Sequence, residues 1–448
     1  RSRSVEHGAM TAPEMVMGQT GSRGAQVMMA SFLVIATIPY LALQPRAAGI
    51  VVSALFGGPE WAGAILVTAL VVAYTLTGGL KAVVRTDVAQ GAIALCLLWL
   101  GLAMVVSDAG GIEAAMESLR SSEDTSGLLG REGNYTLLIW SSTLLLWLFA
   151  DPMFPQLYQR LCAADSDRSI GKMATLYPAV AWLAFLPPIL IGTIGHIYHP
   201  GLDRGGSDNI LPTLIMDVGG DWLGGLVLVA GLAALMSTMD SQLLATGSLV
   251  TRDLVPKGVP DRRTREVVIV SLSLLGLMLS LWSDLSILDL GLLAFSMYAV
   301  MFPAVFAAAH WDNVEGRAVV ASVLAGEAVV ILAVLSPESF EGWWVKPVKA
   351  AMPTAVIPSM LAAIAGLVVS QYALSEDKLP LRWDGFDRES ALPLVGLFVI
   401  LALAHDFWWW EDTGGSAMGL PVWAWWAAAL SLAQTAIMAK WTGGSSTD

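Results

Sequence analysis

What most limits how this 448-residue chain can fold is the recurrence of apolar runs long enough to cross a bilayer. A hydrocarbon core of about 30 Å takes roughly 20 residues of helix, and only structures that satisfy their own backbone groups can occupy it. Twelve runs qualify: Val27 to Gln44, Trp61 to Thr77, Val88 to Ser107, Tyr135 to Phe154, Met173 to Ile197, Trp222 to Val250, Val267 to Leu281, Ile287 to Ala309, Ala318 to Leu335, Met352 to Ala373, Ala391 to Ala404 and Leu420 to Ala439. Ala391 to Ala404 is the shortest of them. Only 14% of residues are charged, against about 25% in a soluble domain. The expected fold class is therefore all-α, a polytopic transmembrane helical bundle.

Lys and Arg in short loops mark the cytoplasmic side. Arg3 and Arg23 precede the first run; Lys81 and Arg85 follow the second, Arg160, Arg168 and Lys172 the fourth, Arg252 and Arg262 the sixth, and Arg317 the eighth. This alternation puts both visible ends inside, with Arg46, Lys346 and Lys349 on the opposite side. The net charge of −13 implies acidic extramembrane faces. Cys96 falls inside a span and Cys162 in a cytoplasmic loop, so two free thiols are expected.

Three places carry chemistry. The fourth run ends "LFADPMFPQLYQR", where Pro152 and Pro155 remove two backbone donors within four residues. This predicts a broken helix, which serves ion and substrate binding as readily as it serves as a structural kink. The stretch "GLAALMSTMDSQLLATGSLVTRDL", Gly231 to Leu254, aligns Ala234, Ser237, Thr238, Ser241, Ala245 and Ser248 on one helical stripe, with Asp240 off it. Such hydroxyls and carbonyls are hard ligands for Na⁺, but Ser and Thr in membrane helices also bond to their own carbonyls, and from the helix alone that is the stronger account. Asp87 opens the third run, and with Gln90 three residues on it reads as an N-cap with a capping box. Asp240 and Glu327 are carboxylates within spans; for Glu327 a packed structural role is the stronger reading. The five histidines show no ligand spacing.

The Gly231 to Leu254 stretch closely resembles a signature of the sodium:solute symporter family. "YTLTGGLKAVVRTDVAQ", Tyr74 to Gln90, and "QRLCAADS", Gln159 to Ser166, are similar to two further motifs of that family, in the expected order, and the match covers Thr11 to Leu335. The resemblance implies the LeuT-type fold of two inverted five-helix repeats, here lacking the first helices: two or three are expected ahead of Val27, among them the first broken helix. Residues matching Ala234, Ser237 and Thr238 would supply the second-repeat half of a sodium site, and Asp87 would lie on the cytoplasmic ion-release route. Sugar-transporting members carry an Asn and a Tyr six and four positions before the Arg of QR. Here those positions are Phe154 and Gln156, with Pro155 between, which argues against sugar and resembles members moving proline or small carboxylates. "IPYLALQ", Ile38 to Gln44, leans the same way, while Pro45-Arg46 departs from the pattern.

The implied function is Na⁺-coupled symport of a small organic solute, a monocarboxylate or amino acid, across the plasma membrane by alternating access. The implied partners are Na⁺, a carboxylate-bearing solute and the lipid bilayer, with no nucleic acid. The alternative is a non-transporting symporter-like sensor or a degenerate fragment. An intramembrane enzyme is disfavoured, because no His partners Ser237 or Ser241 and no GxSxG elbow is present. The expected organisation is a symporter core over 1–335, an additional helix with loops over 336–390, and a two-helix membrane extension over 391–448.

Overall fold

A computed structural model describes residues 2–78, 80–122, 125, 128–129, 137–202, 206–255, 262–336, 355–375, 388–409 and 415–444. Two short helices, α1 (Ser2–Glu6) and α2 (Ala12–Thr20), lead into the first span. Thr11 caps α2 by accepting from the Glu14 amide, while the Glu14 carboxylate accepts from the Met10 amide, so two end donors of the helix are satisfied locally. The helices that follow are α3 (Arg23–Phe56), α4 (Glu60–Gly78), α5 (Leu80–Asp108), α6 (Ile112–Ser121), α7 (Leu137–Ala150), α8 (Pro155–Ala163), α9 (Asp167–Tyr198), α10 (Ile210–Gly219), α11 (Gly225–Leu249), α12 (Arg262–Trp282), α13 (Ile287–His310), α14 (Gly316–Leu335), α15 (Val356–Leu374), α16 (Arg388–Leu403) and α17 (Val422–Gly444).

Each of the twelve apolar runs contains a helix, and ten of these helices are long and apolar enough to span. The bent pair α7 and α8 makes an eleventh, and the apolar part of α16, Ala391–Leu403, is shorter than a span. Tyr135 and Met352, which open two of the runs, lie outside the described residues, as do Lys346 and Lys349. α13 buries 78% of its membrane stretch, the largest share of any span, so it forms the axis of the bundle. Around it α2, α3, α7, α14 and α15 share one apolar core; α5, α6, α9, α10 and α11 build a second.

Several expectations are corrected. α3 does not end at Gln44 but continues through Pro39 and Pro45 to Phe56. Arg46 is therefore an internal residue of a helix: its Nη1 donates to Ser283 O at 2.9 Å and its Nε lies 3.5 Å from Asp208. Paired in this way, a charge need not end a helix. The "MESLR" segment lies in α6, whose Ala115, Met116 and Leu119 pack with Ile191, Ile194 and Leu214, an amphipathic spacing within a polar stretch.

The break after the fourth run is present. A 3-10 turn, Asp151–Met153, separates α7 from α8, Phe154 is extended (φ −58°, ψ 123°), and the axes bend by 51°. α17 lies along α9, with Thr442 against Gly171 and its hydroxyl 3.2 Å from that of Thr175. Cys96 and Cys162 are both free thiols.

Candidate ion site

α5 starts at Leu80, so Asp87 sits two turns inside the helix and does not cap it. This overturns the N-cap reading: the local Asp-to-Gln90 spacing is that of a cap, but the helix begins seven residues earlier. A carboxylate there needs partners from elsewhere in the fold. Asp87 Oδ1 accepts from Ser237 Oγ of α11, and Asp87 Oδ2 accepts from Arg160 Nη2 of α8. Arg160 Nη2 also donates to Ser241 Oγ at 2.7 Å. Ser241 Oγ lies 3.3 Å from both Asp87 Oδ2 and Asp240 Oδ1, so its one proton serves them alternately. Asp240 itself is buried, and its Oδ2 has no donor within hydrogen-bonding distance among the described residues.

Two carboxylates and two hydroxyls thus converge at the junction of α5, α8 and α11, with a guanidinium as the positive charge. The break between α7 and α8 is what turns Arg160 towards α5, and its place in the last turn of α8 suits the negative end of the helix dipole. The Asp87 and Arg160 side chains are 16% and 38% exposed. Among the described residues no group of three or more His, Cys, Asp or Glu could hold a metal ion. The donor set is hard oxygen, which fits an alkali cation better than a transition metal.

One position round α11, Thr238 Oγ1 donates to Ala234 O at 3.0 Å. The structure therefore brings Asp87 to Ser237 and Ser241, while Ala234 and Thr238 bond to each other. The sequence reading did not foresee Arg160 as the partner of Asp87. The signal was available: an intramembrane aspartate requires a cation, and the QR pair follows directly on the helix break.

The proposed substrate positions lie at the break itself, Phe154 closing it and Gln156 in the first turn of α8. Phe154 is buried in an aromatic cluster, with ring centroids 5.4 Å from Tyr40, 5.0 Å from Phe295 and 5.2 Å from Tyr298. The Tyr298 hydroxyl is 2.6 Å from that of Thr37. Among the described residues, Oε1 of the buried Gln156 and both amide atoms of the fully buried Gln242 on α11 have no hydrogen-bond partner. A buried amide left unsatisfied costs about 1–3 kcal/mol, so both are candidates to meet a ligand. Gln242 had not been singled out as a substrate contact, although it stands in the same polar stretch as Ser241.

Apolar spans, a broken helix among them and an acidic oxygen cluster beside the break define a multi-pass helical membrane protein. The profile of the sodium:solute symporter family matches residues 2–326, and the chain belongs to that family. It is 26% identical over 286 residues to a sodium/pantothenate symporter of Haemophilus influenzae, covering 61% of this chain and 59% of that protein. A sodium/proline symporter of Salmonella typhimurium is 26% identical, over 61% of this chain and 56% of its own length. A monocarboxylate transport permease of Rhizobium johnstonii is 29% identical, over 59% of this chain and 50% of its own. The chain thus spans between half and three fifths of these relatives. A solved structure of a Na⁺-coupled sialic acid symporter superposes with a TM-score of 0.60 at 17% identity, covering 81% of this chain and 78% of that one, and shows the shared LeuT-type fold.

Proposed function

We propose that this protein carries a small organic solute, a monocarboxylate or amino acid, into the cell by symport with Na⁺. The observation that carries this reading is the meeting of Asp87 with the Ser237 and Ser241 hydroxyls at the broken helix. In this reading Arg160 neutralises Asp87 when no ion is present, and Na⁺ arriving from the Ala234, Ser237 and Thr238 face takes over that role before leaving on the cytoplasmic side. Thr238 suits an ion ligand, because its proton is committed to Ala234 O and its oxygen lone pairs face outward. The membrane potential supplies about 2.3 kcal/mol per charge per 100 mV. Phe154 and Gln156, with the Tyr40 ring beside them, would shape the solute pocket. The names of the proline, pantothenate and monocarboxylate relatives support a solute with a carboxylate. Residues 1–335 form the carrier core in this scheme, 336–390 add a helix with its loops, and 391–448 add a two-helix membrane extension.

The test is uptake by the full-length gene product in proteoliposomes, using labelled proline, short monocarboxylates and a sugar. An imposed Na⁺ gradient should drive accumulation of one of the carboxylates and leave the sugar outside. Accumulation that is indifferent to the Na⁺ gradient would sink the proposal.

A further inference from the structure

Glu327 has no place in the ion site, yet among the described residues both of its carboxyl oxygens are buried without a hydrogen-bond partner. It stands near the middle of α14, only 1% exposed. Its depth follows from Gly326, where an added Cβ would meet Val300 near the centre of α13 and Ala363 near the centre of α15. α15 approaches the opposite face of α14, where Gly366 lies against Ala321 and Ala325. Glu327 is roughly 200° from Ala325 round the helix. It therefore shares the side of Val323 and Val330, which belong to the same apolar core as Val300 and Ala304.

Every element packed on this stripe keeps its charges away from Glu327. α14 offers Arg317, ten residues off and about 15 Å along the axis. α13 offers Asp289 and His310 at its ends and Tyr298 in between, whose hydroxyl is bonded to Thr37. α3 has Arg23, Tyr40 and Arg46, the last engaged with Ser283 and Asp208; α2 has Glu14, bonded to Arg252; α15 has Tyr372. An ionised carboxylate in such a seam would be paid for by nothing nearby, so the group enters it with its proton on. On the adjoining face of α14, within roughly 60° of Glu327, Leu324 and Ile331 are 48% and 43% exposed, towards lipid. A bilayer-dissolved reagent therefore reaches the edge of the seam without passing through water.

We propose that Glu327 is an intramembrane proton-holding carboxyl, a covalent modification site for apolar carbodiimides approached from the lipid. The acid proton passes to one carbodiimide nitrogen while the carboxyl oxygen adds to the central carbon, giving an O-acylisourea. Acyl transfer from that oxygen to the neighbouring nitrogen then gives an N-acylurea. All atoms of both reactants are retained, and nothing is oxidised or reduced.

The experiment treats the full-length protein in proteoliposomes with dicyclohexylcarbodiimide or with a cationic, water-soluble carbodiimide, and reads adducts by peptide mass spectrometry. The expected result is at least tenfold more adduct on Glu327 with the apolar reagent, and none on that peptide in Glu327→Gln. The Gln variant, one neutral group for another of the same shape, should melt within about 3 °C of the parent. No adduct with the apolar reagent, equal labelling by the aqueous one, or a collapse in melting temperature for Glu327→Gln would each overturn the proposal. None of these readouts depends on transport, so the Na⁺-symport reading stands or falls separately.

Discussion

Two neighbouring faces of α11 carry hydroxyls, and the fold treats them differently. Ser237 and Ser241 reach across to Asp87 and are drawn into a charged network with Arg160. Thr238 bonds one turn back to Ala234 on its own helix. The first face is held by partners 81 to 154 residues away in sequence, Arg160 from Ser241 and Asp87 from Ser237 and Ser241. The second is complete within four residues. Hydroxyls at equivalent spacing thus serve either to satisfy a helix or to join three helices, and the carboxylate opposite decides which.

The sharpest way to break this contrast is to remove the charge from the long-range face. Asp87→Asn keeps the shape and one acceptor oxygen but leaves Arg160 without an anion and a departing Na⁺ without its receiver. Initial uptake should fall more than tenfold at matched amounts of folded protein, a loss of over 1.4 kcal/mol in the barrier. If folded yield and melting temperature collapse along with the rate, Asp87 is a structural tie and the network has no role in transport.

The hydroxyls themselves come next. Ser237→Ala and Thr238→Ala each delete one oxygen that a bound cation would use as a ligand. Each should raise the Na⁺ concentration for half-maximal uptake by roughly fivefold, a step of about 1 kcal/mol. Thr238→Ser should restore the parental value because it returns the oxygen and its bond to Ala234. Unchanged Na⁺ dependence in both alanine variants would reduce the two faces to packing.

The contrast also explains what could be read in the sequence. The spans were legible because crossing a bilayer imposes a length and a composition that few other constraints produce. Pro152 and Pro155 pointed to the break that is found at Asp151–Phe154, but proline spacing alone does not decide it: Pro39 and Pro45 in α3, and even the adjacent Pro187 and Pro188 in α9, are accommodated within one helix. Where local signals met tertiary ones, the local reading failed. Asp87 followed by Gln90 has the spacing of a helix start, and only Arg160 on another span reveals that the helix is already under way. Arg46 has the look of a loop charge until Asp208 and the Ser283 carbonyl are seen beside it. The Thr238 side of α11 was open to inspection because it is local, and the Asp87 side was not.

The smallest expected effect separates solute from ion. Gln156 lies one turn before Arg160 on α8, and its Oε1 is buried without a partner. Gln159, between them in sequence, is already engaged with Ser248 at 3.2 Å. If Gln156 meets the solute, Gln156→Leu removes one neutral hydrogen bond, about 0.5–1.5 kcal/mol. That should raise the solute KM about threefold while half-saturating Na⁺ stays at its parental value. Because the variant also relieves a buried unsatisfied amide, its melting temperature should hold or rise. A shift in Na⁺ dependence of the same size as the shift in KM would place Gln156 in the ion network instead, and the solute and ion positions would then form one site.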